Sequence, residues 1–220
     1  MLSFSDFFAA CPGVWTTERT YHMLGQGIVE RSYTEFRVTS LSENEKQGIL
    51  KGAGIGQPTP EASHSLQTLA AFQWPGFAIS FETRSETGEE VAMSLKALFV
   101  PATDLPSEVI AGNASPLPIA AQVPPDSTEV VRGFYLRDEG YSESGAIAGQ
   151  FTYQPTRQTL EMTTYYRRSI ALDQMRFVTP DLRMRTIITY QRPSLDNSDA
   201  DPQVISLIGF GVEHRRASEV

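Results

Sequence analysis

Arg183 and Arg185 stand at i and i+2 in Asp181-Leu182-Arg183-Met184-Arg185, a spacing that sends both side chains to one face of a β-strand. Two parallel guanidinium forks suit a ligand that carries two carboxylates. The same spacing also fits a solvated outer face, because arginine is mostly exposed in folded proteins. Asp173 lies across the turn Thr179-Pro180-Asp181 from the pair. A three-residue loop with Asp181 in the left-handed conformation places Asp173, Met175 and Phe177 on the arginine face. A two-residue loop places Asp173 opposite, and sequence alone leaves the register open.

Near the N-terminus, Trp15, Thr17, Arg19, Tyr21 and Met23 alternate onto one face, so Arg19 lies among aromatic surfaces that could stack on a flat ligand. His22 falls on the other face unless a bulge intervenes, and a single imidazole without an identifiable partner reads as either functional or structural. Tyr165 and Tyr166 are adjacent, so at most one of them lines a pocket. Cys11, the single cysteine, sits in an apolar helix end beside Pro12 with no basic neighbour to lower its pKa. It reads as a buried structural thiol, and a lone cysteine allows neither an intrachain disulfide nor a cysteine metal cluster.

Other chemistry lacks its residues. A G-x-S-x-G elbow, a P-loop, an H-E-x-x-H and a C-x-x-C are all missing, and His22, His64 and His214 are scattered, so no metal site is expected. Gly52-Ala53-Gly54-Ile55-Gly56 lacks the third glycine of a dinucleotide fingerprint and opens no amphipathic helix, which leaves a loop. Eighteen Lys and Arg against 26 Asp and Glu give a net charge of -8, a poor match to nucleic acid or anionic lipid. No apolar run approaches the roughly 18 residues of a membrane helix, and the N-terminus has no basic leader, so it reads as structure. With a single cysteine, the expected compartment is the cytoplasm.

The elements that must position these residues are mostly strands. At 220 residues with 40% apolar content, the chain fits one domain over 1–220 with a substantial core. Ser3 can cap a short helix that carries Phe4, Phe7 and Phe8, and Pro12-Gly13 stops it. Beyond it come strand-like segments near 14–24, 28–41, 47–51, 76–84, 91–100, 131–137, 146–153, 159–167, 170–178, 182–192 and 204–214. Hairpin-sized links such as Gly25-Gln26-Gly27 and Glu86-Thr87-Gly88 fit a meander of sequential neighbours. Stretches 52–68 and 101–127, rich in Gly and Pro, read as long insertions. Neither face of 28–41 is cleanly apolar: Val29, Arg31, Tyr33, Glu35 and Arg37 share one, Ile28, Glu30, Ser32, Thr34, Phe36 and Val38 the other. A sandwich core tolerates that poorly, whereas a closed barrel with a partly polar lumen accommodates it. The expected fold is all-β: a lipocalin-like, fatty-acid-binding-protein-like antiparallel up-and-down barrel of about ten strands with a short N-terminal helix.

Three ordered segments then carry a resemblance: W-T-T-E-R-T-Y-H (Trp15–His22), R-D-E-G-Y-S-E-S-G-A-I-A-G-Q-F (Arg137–Phe151) and F-V-T-P-D-L-R-M-R-T (Phe177–Thr186). Together they resemble the S/U-type phycobiliprotein bilin lyases, known as CpcS, CpeS and CpcU. The resemblance implies binding of a phycobilin such as phycocyanobilin or phycoerythrobilin and its thioether attachment to a cysteine of an apo-phycobiliprotein subunit. It implies no cofactor, since the bilin is the substrate. Arg19 and His22 match the family's first-strand Arg and His, Arg183 and Arg185 its paired arginines, and Asp173 a family glutamate. The implied roles are chromophore binding by all five and catalysis by Asp173, Arg183 and Arg185, with Asp173 holding pyrrole N–H groups or governing ring protonation. This sequence has Arg176 where the family often carries an aromatic, and Phe77, Ile79 and Phe81 where it has a Trp-rich hairpin. Two other readings stay open, a U-type subunit that works only in a heteromer with an S-type lyase and a non-catalytic bilin carrier or chaperone. A homodimer is also open. In an alga the compartment would be the plastid stroma.

Overall fold

A computed structural model describes residues 1–53, 74–105, 115, 117–121, 129–140, 143, 145–192 and 204–217. Helix α1 (Phe4–Ala9) leads into β1 (Gly13–Met23) and β2 (Ile28–Ser40), then helix α2 (Glu43–Ala53). There follow β3 (Gly76–Ser85), β4 (Glu90–Pro101), β5 (Val131–Arg137), β6 (Ile147–Gln154), β7 (Thr159–Tyr165), β8 (Ser169–Thr179), β9 (Leu182–Gln191) and β10 (Ile205–Arg215). Every strand pairs antiparallel with its sequence neighbours, and β10 closes on β1 to complete a ten-strand barrel. Closure leaves no sheet edge to be shielded. None of the helices among the described residues is long and apolar enough to cross a membrane.

One strand expectation fails. The segment 47–51 is not a strand but lies inside α2, whose first turn is closed by a capping box. The Ser42 backbone N–H and hydroxyl both donate to Glu45 Oε2 at 2.8 Å, and the Glu45 N–H returns a bond to Ser42 Oγ. Five residues of mixed polarity cannot separate helix from strand by periodicity, and the cap decides. The helix lies against the outside of β4 and β5, where Ile49 joins Leu98, Val100, Leu136 and Trp74 in a second apolar cluster. That cover explains why β5 is buried on both faces. Of the two expected insertions, 52–68 lies outside the described residues except for the end of α2, and 101–127 is described at 101–105, 115 and 117–121.

The main core sits inside the barrel at the end closed by α1. Phe7 meets Tyr153 and Phe177 with ring centroids 5.0 and 5.1 Å apart, and Phe8 meets Phe99 at 4.6 Å. The end of α1 is tied down by side chains in place of further helical turns. Trp15 Nε1 donates to the Cys11 carbonyl at 3.0 Å, and Arg215 donates to the carbonyls of Ala10 and Pro12 at 2.5 Å each. Gly13, at φ +142°, leaves the space that Arg215 fills: a Cβ there would stand 2.8 Å from Arg215 Nη1. Phe7 has no exposed surface, so Phe7→Ala should cost about 3–5 kcal/mol through the cavity it leaves at the sealed end. A lowered urea midpoint with retained β-sheet circular dichroism checks this.

Candidate functional site

Strand β1 starts at the α1 end and runs toward the opposite mouth, and a cavity of about 420 Å³ follows it from Cys11 to Tyr21. Its lining is apolar on the β3 and β4 side, where Phe77, Ile79, Phe81 and Leu95 face inward. On the β1, β8, β9 and β10 side it is charged, with Arg19, Asp173, Arg183 and Arg185 brought into one group.

Glu213 organises that group. It has 0% exposure and sits in β10 opposite Thr17 of β1 and Arg183 of β9. Its Oε2 lies 2.8 Å from Arg183 Nη2, while Oε1 lies 3.5 Å from Arg19 Nη2 and 3.6 Å from Arg185 Nη1. Burial raises the carboxyl pKa, but the fields of Arg183, Arg185 and Arg19 outweigh it and hold the group below its ordinary 4.5. Glu213 is therefore an anion inside an apolar barrel, a state that only its three cationic partners permit.

The arginines differ in what they can reach. Arg183 is 1% exposed, and its guanidinium carbon stands 3.9 Å from the Trp15 ring centroid, with Phe36 and Phe177 at 5.6 and 5.5 Å. It is a buried cation in an aromatic box, directed at Glu213. Arg185, 12% exposed, grips Asp173 with two bonds: Nε donates to Oδ1 at 2.8 Å, and Nη2 donates to Oδ2. Arg19, 16% exposed, reaches diagonally to Glu213 on β10 over Gly211, where a Cβ would stand 2.9 Å from Arg19 Cγ and 2.7 Å from the Glu18 carbonyl. Tyr21 lies over Gly209 in the same way, 2.6 Å from a Cβ placed there.

The β8–β9 register puts Phe177 opposite Arg183 and Met175 opposite Arg185, with Asp173 one diagonal step away. The same-face arrangement arises without the three-residue loop. Pro180 and Asp181 alone separate the strands, and Asp181 is not left-handed; an irregularity at Val178, between Phe177 and Thr179, shifts the register by one residue.

His22 stands apart from the other four. The β1 pairing runs unbroken from Gly13 to Met23, so His22 lies on the outer face, stacked on Phe210 at 5.8 Å and flanked by Val29 and Ile208. Cys11 lies at the floor of the cavity, 1% exposed, and burial pushes its thiol up to about 11, which removes its nucleophilic form at neutral pH. Of the adjacent tyrosines, Tyr166 lines the cavity and Tyr165 turns out to Ser115. Among the described residues no cluster of His, Cys, Asp or Glu could hold a metal ion. The sequence reading missed Glu213, whose signal is Gly209-x-Gly211-x-Glu213, two absent side chains and one carboxylate on a single strand face. It also missed Arg137, which lines the cavity from β5.

Glu213→Gln removes the anion on which Arg19, Arg183 and Arg185 converge, so it should cost about 3–5 kcal/mol in chemical denaturation. The stability Glu213 contributes is fully present above about pH 4.5, its unfolded value, and is lost as pH falls through the lower folded value. Thermal melts between pH 3 and 7, with the wild type steeper than Glu213→Gln at the acid end, check the assignment.

Comparison with known proteins agrees with this architecture. A family model described as CpeS-like protein matches residues 3–112 and 115–216. A protein named chromophore lyase CpcS/CpeS 1, from Synechococcus sp. (strain JA-3-3Ab), is 35% identical over 213 residues, 96% of each chain. A chromophore lyase CpcS/CpeS 2 of Paulinella chromatophora is 26% identical over 187 residues, 84% of this chain and 77% of that one. The solved S-type phycobiliprotein lyase CPES from Guillardia theta shares the fold at a TM-score of 0.65 and 19% identity, covering 99% of this chain and 95% of that one. With the family model spanning nearly all of the barrel, the chain belongs to the CpeS-like family.

Proposed function

We propose that this chain is a phycobiliprotein chromophore lyase, which takes an open-chain tetrapyrrole into the lumen and directs its thioether attachment to a cysteine of an apo-phycobiliprotein subunit. The observation that carries the reading is the presentation of Arg19 and Arg185 into a mostly apolar cavity by a buried carboxylate, with Asp173 held on Arg185. A flat, largely apolar ligand with carboxylate substituents matches that lining. Arg185 and Arg19 pair with propionate oxygens, while Arg183 works from behind by fixing Glu213. Asp173, locked by Arg185, offers its remaining lone pairs to pyrrole N–H groups and thereby biases the protonation of the ring system.

The bond-forming step is an addition that needs no oxidant. The acceptor's thiolate attacks the exocyclic carbon of the A-ring ethylidene, a C–S bond forms, and the C=C electron pair moves onto the ring and is quenched by a proton. The nucleophile comes from the acceptor, in keeping with a Cys11 whose thiol is buried and pushed up to about 11. The lyase contributes position and facial selectivity. No cofactor enters, and the bilin is the substrate. Phe77, Ile79 and Phe81 supply an apolar wall, and Arg176 stands outside on β8. In this reading the place of work is the cytoplasm, or the plastid stroma of an alga.

Incubation with phycocyanobilin or phycoerythrobilin, with and without apo-subunits, and absorbance before and after acid-urea denaturation should show pigment covalently held by the acceptor with a native-like spectrum. Arg185→Gln should weaken bilin binding by about 10–100-fold, the worth of a charged hydrogen bond. Reversible binding without transfer would support the carrier reading, or a U-type half that needs an S-type partner, which a repeat with that partner added separates. Sedimentation of the free protein tests for a homodimer. No binding at all would remove the lumen assignment.

A further inference from the structure

We infer that Tyr166 is the proton donor of the addition: its hydroxyl, which accepts a bond from Arg137, delivers the proton that quenches the bilin ring after the acceptor's thiolate attacks. This role rests on the lumen being the bilin site.

The hydroxyl hydrogen is what singles Tyr166 out. The residue is 5% exposed and lines the cavity. Arg137 Nη2 donates to its hydroxyl oxygen at 2.8 Å. A guanidinium has donors and no acceptor, so the phenolic hydrogen cannot return that bond and points elsewhere. Among the described residues no acceptor takes it, which leaves the hydrogen for a group in the lumen. The other tyrosines that line the cavity differ. Tyr135 shares its hydroxyl with Thr164, and among the described residues no guanidinium bonds to Tyr21.

Position and charge both suit an acid. Leu160, near the start of β7, belongs to the core at the α1 end, so Tyr166, just past the other end of that strand, lies toward the mouth. Because rings fill the α1 end, the acceptor's cysteine reaches the bilin from the mouth, and the carbon it attacks lies on the side of Tyr166. The backbone of Tyr166 is fixed: its N–H donates to the Ser169 carbonyl and its own carbonyl accepts from Arg192 Nη1, both at 2.9 Å. The charged and titratable groups around it are Arg137 and Tyr135 from β5, Asp173 from β8 and Arg192 beyond β9. A cation bonded to the oxygen stabilises the phenolate left behind by transfer, which makes a phenol a usable acid near neutral pH.

The step balances as an addition of S–H across the ethylidene C=C. The acceptor's thiol loses its proton to solvent, and the thiolate forms the C–S bond. The π pair moves onto the ring, and the Tyr166 O–H bond breaks as the new C–H bond forms. The phenolate, beside Arg137, then regains a proton from water at the mouth.

The test loads the protein with phycocyanobilin, adds apo-subunit, and measures bilin affinity and the rate of thioether formation separately. Tyr166→Phe should slow attachment by about 100-fold or more and change affinity by less than about threefold, because the acid is lost and the ring is kept. A ring-fluorinated tyrosine at position 166 is more acidic but keeps the hydroxyl and its bond from Arg137. It should fold as wild type and move the alkaline fall of the attachment rate to lower pH. An unchanged rate in Tyr166→Phe, a loss of affinity without a loss of rate, or an alkaline limb that fluorination does not move would each overturn the proton donor and leave the lumen site intact. Wild type that binds no bilin, or never transfers it with or without an S-type partner, would instead overturn the functional reading, and the proton donor with it.

Discussion

The ionised carboxylate of Glu213, buried without any exposed surface, is the constraint around which the barrel is arranged. An isolated anion at that depth would be intolerable, so the two strands flanking β10 supply three cations: Arg19 from β1 and Arg183 and Arg185 from β9. The requirement works in both directions. Three arginines facing inward could not be buried together without the anion, and the anion could not be buried without them. A core of similar volume made from leucine and phenylalanine would be easier to stabilise, but it would present no guanidinium to the lumen.

Several local features serve this arrangement. The two glycines of β10 remove the side chains that would block Arg19 and Tyr21, and the irregularity at Val178 turns Asp173 to the arginine face. Trp15 works on two fronts, as the surface beneath Arg183 at 3.9 Å and as a contact of Arg215 at 4.5 Å. Because Arg215 also binds the Ala10 and Pro12 carbonyls just after α1, the plug of the barrel and its charged wall share one aromatic ring. Packing at the sealed end and charge placement in the lumen are therefore coupled through Trp15.

The two ends of the barrel have different physical characters. At the α1 end, Phe7, Phe8, Tyr153 and Phe177 fill the interior by edge and tilted ring contacts. Beyond these rings the filling stops, which leaves the cavity. Outside, α2 and the segment after β4 cover β4 and β5, while the opposite wall of β1, β2, β9 and β10 carries exposed Val29, Met184, Phe210 and Val212. Inward-facing arginine on β5 is possible because its outer neighbour Leu136 is buried beneath α2, fixing which way the strand faces.

Much of the barrel was legible from the amino-acid sequence, because alternation and turn residues are local signals: ten of the strands, the α1 cap at Ser3, the inward face of β1 and the burial of Cys11 all follow from neighbours within a few residues. The helix at 43–53 escaped because its decisive signal, Ser42 with Glu45, lies just before the short run that resembled a strand. The paired arginines were visible, but not that one of them is walled off by Trp15 and the other bound by Asp173, since those contacts join residues far apart in the chain. Glu213 carried only the faint mark of Gly209-x-Gly211-x-Glu213, and Arg137 none. Their importance depends on which strands become neighbours when β10 meets β1 and on which wall faces which across the lumen. Strand identity and face are set by short-range patterning, whereas charge compensation in a closed barrel is a property of the closure itself.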